Sequence, residues 1–106
     1  MNGNEIINVM AQQINARELK FAKFKLLADN DKNQITVVKG QKWLKITYNE
    51  GSDLYDVQKG RCRKYEIYED EVETGYYADQ LRDIIQSYFP NFEYVMDSIK
   101  IVGVNC

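Results

Sequence analysis

The sequence predicts a two-layer α+β fold: an N-terminal helix, an antiparallel β-meander of about five strands, a second helix and a C-terminal strand. Three observations predict it. Apolar residues recur with a helical period near both ends of a 106-residue chain. Between those ends the period changes to two. The connections inside the period-two region are short and rich in Asn, Asp and Gly, whereas parallel neighbours need a crossover of about a dozen residues or more.

Residues 3–16 read as the first helix, because Ile6, Ile7, Met10 and Ile14 form one apolar stripe. Asn2 and Glu5 stand at capping-box spacing before it. Residues 19–28, 34–39, 42–48, 54–59 and 62–69 read as strands. Turn signals separate them: Asp29-Asn30-Asp31-Lys32-Asn33, Lys39-Gly40, Asn49-Glu50-Gly51-Ser52-Asp53 and Lys59-Gly60. Residues 77–89 read as the second helix, with Tyr77, Leu81, Ile84, Ile85 and Tyr88 on one face. Asp79 and Asp83 favour its N-terminal end, and Pro90 stops it. Residues 99–104 read as a last strand at a sheet edge. Both helices need an apolar partner, so they are expected on one face of the sheet, with solvent on the other.

The length suits one domain spanning residues 1–106. The net charge of −2 argues against a global attraction to nucleic acid or to an acidic membrane. The charge is uneven, with +4 over residues 1–48 and −6 over residues 49–106. Cys62 and Cys106, the two cysteines, make no disulfide framework, which fits a reducing compartment. No secretory leader and no membrane-length apolar run is read, so a soluble, cytoplasmic protein is expected.

Several chemistries are excluded. There is no histidine, which removes the commonest general base and every Ser-His or Cys-His constellation within the chain. Two cysteines alone do not build a four-ligand zinc site, and neither a Gly-rich phosphate loop nor the spaced aspartates of a calcium loop is present. No enzymatic activity, cofactor or metal is therefore expected. Cys62 reads as a packing residue, and Arg82 with Asp56 as a structural ion pair.

Two surfaces remain. The segment 66–79 interleaves Glu66, Glu69, Asp70, Glu71 and Glu73 with Tyr68 and Tyr76. Tyrosine has a large apolar ring and a polar tip, so an acidic, tyrosine-rich edge suits docking on a basic protein surface or imitation of nucleic acid. The ordinary alternative is a solvated strand end. The second surface is the solvent side of the sheet. If the first strand alternates as expected, Phe21, Lys23 and Lys25 share a face with Trp43 and Lys45, a pattern that stacks single-stranded bases. A register slip of one residue would undo that pattern.

The motifs Tyr55-Asp56-Val57, Gly60, Tyr65-Glu66-Ile67 and Tyr77-Ala78-Asp79-Gln80-Leu81-Arg82-Asp83-Ile84 carry a resemblance. Over residues 54–89 the chain resembles a family of small phage, plasmid and mobile-element proteins with no assigned activity. It departs from that pattern at Pro90 and the 91–106 tail. The resemblance implies a genomic setting in which small proteins without catalytic groups bind host or phage proteins. The leading expectation is thus a non-enzymatic protein-binding module, and more narrowly a counter-defence inhibitor of the anti-CRISPR or anti-restriction type, acting through its acidic surface. The alternatives are a single-strand nucleic-acid binder using the Lys/aromatic face and a self-associating structural phage protein.

Overall fold

Helix α1 (Gly3–Gln13) forms where the apolar stripe predicts, and Ile6 and Met10 are buried along it. The computed structural model describes residues 3–94, so the reading of a strand at 99–104 lies outside the described residues. The chain then turns at Asn15, which adopts a left-handed conformation that Asn tolerates better than most residues.

A short helix, α2 (Ala16–Phe21), follows, where the sequence reading expected a strand from residue 19. Asn15 explains the difference. Its side chain accepts from the Glu18 backbone N–H and donates to the Glu18 carboxylate at 3.2 Å. Asn15 is thus the N-cap of α2, and its side-chain amide, not its backbone N–H, engages the Glu18 carboxylate at the third helical position. The helix ends in a Schellman arrangement: Lys23 is left-handed at φ 71°, with Lys23 N–H to Lys20 C=O at 3.0 Å and Phe24 N–H to Leu19 C=O at 2.9 Å. Leu19 and Phe24 are consequently core residues on either side of a cap, not neighbours along a strand.

The sheet is an antiparallel meander of β1 (Lys25–Asp29), β2 (Gln34–Lys39), β3 (Lys42–Asn49), β4 (Leu54–Arg63) and β5 (Glu66–Glu69), in that order, with β6 (Glu73–Tyr76) also on β4. Register places Ile35, Ile46 and Val57 in one row and Val37 and Leu44 in the next, all buried and all on one face. Helix α1 and the later helix that carries Leu81 and Ile85 cover that face. The opposite face has no helical cover among the described residues.

Strand β4 corrects a second expectation. Gly60 does not close a turn; it lies within a single ten-residue strand, opposite Trp43. The turn comes later, at Lys64-Tyr65, between the paired residues Arg63 and Glu66. The bulky Trp43 indole covers Gly60, and this cross-strand fit makes a mid-strand glycine acceptable.

The second helix is shorter than read. A 3₁₀ turn (Ala78–Gln80) leads into α3 (Leu81–Tyr88), and Tyr77, expected on its apolar face, stands 63% exposed before it. Its backbone N–H donates to Gln80 Oε1 at 2.8 Å, so Tyr77 serves as the cap. Phe89, which precedes Pro90, leaves the helical region at ψ 79°, in line with the clash that disfavours helical backbone before proline. The expected pair of Arg82 with Asp56 is replaced by another contact. Arg82 Nε donates to the Gln13 carbonyl at 2.9 Å, placing its charge at the C-terminal end of α1, which has no basic residue in its last turn. Phe92 and Tyr94 return to the core, and the Tyr94 hydroxyl donates to the Ile14 carbonyl at 2.7 Å.

Candidate functional site

The last four residues of β4, 60–63, pair with β5 to form a hairpin ribbon whose base, Gly60 and Arg61, also pairs with β3, and every residue of β5 is exposed. The ribbon closes on Lys64 and Tyr65, both at positive φ (51° and 67°). A two-residue loop of this kind needs left-handed residues to match the strand twist, which is why Asn-Gly is its usual occupant. A lysine and a tyrosine hold that conformation against Cβ crowding of about 1 kcal/mol each. The Tyr65 side chain gains no packing in return, at a relative exposure of 102%. Ile67 follows at 70% and Tyr68 at 42%.

The five acidic residues read from the sequence divide into two sets. Three are held by the chain itself. Glu66 accepts from the Tyr68 hydroxyl at 2.6 Å, Glu69 from Lys45 Nζ at 2.8 Å, and Glu73 from the Tyr76 hydroxyl with Lys59 Nζ at 3.7 Å. The Lys45 hydrogen bond holds the Glu69 carboxyl below its usual range, and the carboxylate acceptors raise Tyr68 and Tyr76 above theirs. Asp70 and Glu71 make up the other set. The Asp70 backbone is fixed, accepting from Gln58 Nε2 at 3.0 Å and donating to the Lys59 carbonyl at 2.9 Å. Both carboxylates lie in the exposed connection between β5 and β6.

The ribbon is not acidic throughout. On its other side Arg61, Arg63 and Lys64 surround Glu66 and Tyr68, lining a hollow of about 370 Å³. The Arg61 guanidinium lies 5.5 Å from the Tyr68 ring centroid. The site is thus an apolar, aromatic tip with cations on one side and Asp70 and Glu71 at its base.

Of the five residues of the Lys/aromatic group, the sheet carries three on one face. Phe21 is on α2 and Lys23 in its cap, so neither belongs to a strand. Lys25, Trp43 and Lys45 do share the uncovered face, but Trp43 lies over Gly60 and its Nε1 is 3.5 Å from Glu69, which also holds Lys45. A carboxylate in the middle of the platform opposes a phosphate backbone.

Sequence reading missed Ile67 and the setting of Tyr65, because Lys-Tyr is no turn signal. It also missed a groove of about 340 Å³ between α1 and the β3–β4 end, lined by Val9, Tyr48, Asp53, Tyr55 and Tyr77 among others. Tyr48 and Tyr55 are cross-strand partners there, with ring centroids 5.5 Å apart. The Tyr48 hydroxyl donates to Asp53, and that bond, with smaller help from burial, pushes the Tyr48 hydroxyl up from 10.0 to about 12. The bond favours the protonated, folded tyrosine. Its contribution is complete below pH 10 and fades as pH rises from 10 through about 12. Asp53→Asn is expected to bring Tyr48 back toward pH 10 in an NMR titration of its ring signals. An unchanged titration would remove Asp53 as the cause.

Among the described residues, no group of three or more Cys, Asp or Glu is placed to hold a metal ion, and no helix is long and apolar enough to cross a membrane. No protein-family model, curated protein or solved structure matches the chain.

Proposed function

We propose that the protein is a protein-binding module that docks through the tip and base of the β4–β5 ribbon. One observation carries this reading: a tyrosine that is fully exposed and held in a conformation disfavoured for its type. Backbone strain that the folded state tolerates without local packing is a recognised mark of functional segments. Tyr65 and Ile67 supply apolar anchors of the kind that dominate interface energies. Asp70 and Glu71 supply charge that steers a basic partner and sets the salt dependence of association. The partner this chemistry fits is a host or phage protein with an apolar pocket bordered by cations. A counter-defence inhibitor of the anti-CRISPR or anti-restriction type is the narrower form of the reading. It draws on the resemblance over residues 54–89 and on the acidic base.

The test separates stability from binding. A partner captured from host lysate is purified and titrated against the wild-type chain and variants. Tyr65→Ala and Ile67→Ala are each expected to weaken it by about tenfold or more. Asp70→Lys with Glu71→Lys is expected to slow association and flatten its salt dependence. Lys64→Asn with Tyr65→Gly supplies the preferred turn residues, so the fold is expected to gain about 1 kcal/mol while binding falls. A purified partner that bound all of these variants as tightly as wild type would remove the ribbon from consideration.

A further inference from the structure

The two edges of the sheet differ in kind. At one, β4 is shared between short β5 and β6, with a register shift between Tyr55 and Val57 and with Glu66, Glu69 and Glu73 along it. Short, irregular, like-charged edges resist pairing with another chain. At the other, β1 pairs with β2 through five uninterrupted positions, from Lys25 opposite Val38 to Asp29 opposite Gln34. It contains no proline, and Lys25, Leu27 and Ala28 are exposed. Nothing among the described residues pairs with its free side.

The β1 sequence, Lys25-Leu26-Leu27-Ala28-Asp29, is complementary to itself when reversed. We propose that β1 pairs antiparallel with β1 of a second copy, about a two-fold axis through Leu27. Opposed residues in an antiparallel pair share a face. Lys25 of each copy then stands opposite Asp29 of the other, Leu26 opposite Ala28, and Leu27 opposite Leu27. No other antiparallel register of this strand with itself matches both charges. Leu27, 49% exposed on the uncovered face, becomes the centre of the contact. Two six-stranded sheets join into one, with both uncovered faces on the same side. An isologous contact of this type closes at two copies and leaves both β4–β5 ribbons outside it. Its small size fits a dimer that dissociates on dilution, near the weak end of specific interfaces.

Sedimentation of the full chain from about 1 μM to about 1 mM, the range that brackets weak association, tests the pairing. The mass is expected to rise from 12.4 kDa toward twice that value. Lys25→Glu and Asp29→Lys each place like charges opposite one another twice, and each is expected to raise the dimer dissociation constant at least tenfold. An equimolar mixture of the two variants restores both attractive pairs and is expected to dimerise like wild type. Asp29 also caps the following turn, accepting from Asp31 N–H at 3.0 Å, so circular dichroism accompanies each variant. Leu27→Lys, which leaves that turn intact, is expected to be monomeric. A wild-type monomer throughout, single variants that dimerise unchanged, or a folded mixture that stays monomeric would each overturn the proposal.

Discussion

Phe24→Ala is expected to lower the free energy of unfolding by about 3–5 kcal/mol. The ring is 5% exposed and sits at a junction. It meets Phe89 edge-on at 5.0 Å and 89°, and Phe92 at 5.0 Å and 75°. Phe92 in turn meets Tyr94 at 4.9 Å, and Phe89 meets Tyr88 at 5.2 Å. Lys39 Nζ lies 4.8 Å from the Phe24 ring centroid and donates to the Ala22 carbonyl at 3.0 Å. One side chain therefore ties the end of α2, the end of α3 and the returning segment 92–94. Its removal combines lost burial, a cavity and two broken aromatic pairs worth about 0.5–1.5 kcal/mol each. Domains of this size hold about 5–15 kcal/mol in all, so the variant is expected near the margin of folding. Urea unfolding followed by circular dichroism measures the loss. A free energy of unfolding within about 1 kcal/mol of wild type would show that the ring does not join these elements.

Gly60→Ala is the second large effect, expected at about 1–3 kcal/mol. A Cβ at Gly60 would stand 2.0 Å from Trp43 Nε1, 2.3 Å from Cε2 and 2.8 Å from Cζ2. The indole must swing away, abandoning its contact with Glu69 and its cover over the strand. Gly60 is restrained from a second direction by the Tyr88 hydroxyl, which donates to its carbonyl at 2.6 Å. Trp43 is the single tryptophan, so its emission reports the displacement as a shift to longer wavelength. The decisive comparison is a double-mutant cycle. In a Trp43→Ala background the clash is gone, and Gly60→Ala is expected to be neutral or stabilising, because glycine inside a strand costs about 0.5–1 kcal/mol relative to alanine. An equal penalty in both backgrounds would mean that the indole does not set the requirement for glycine.

Much of the fold was legible because it depends on short-range patterns. The Ile6, Met10 and Ile14 stripe is local to one helix. The alternation over residues 34–39 and 42–48 is local to two strands, and Gly40, at φ 61°, closes the hairpin between them. The early strand at residue 19 was misread although Asn15 and Glu18 stood at capping spacing, since a six-residue helix has too little periodicity to announce itself. The candidate site was half legible. The carboxylates and tyrosines of 66–79 were visible, but not that Lys45, Lys59 and two tyrosine hydroxyls engage three of them, leaving Asp70 and Glu71 at the base of the ribbon.

Residue type and order are enough for the class: an apolar helix stripe, alternating strands joined by short turns, and a chain without histidine or a phosphate loop. Those properties follow from residue type and spacing along the chain. Long-range packing, by contrast, sets Gly60 under Trp43 instead of in a turn, brings Arg82 to the end of α1, and completes the core with Phe92 and Tyr94. It likewise decides which carboxylates are engaged and that β1 is an edge strand among the described residues. The reason is physical. Each of these depends on which side chain a distant segment delivers to within a few ångströms, and strand register, not local preference, selects that partner.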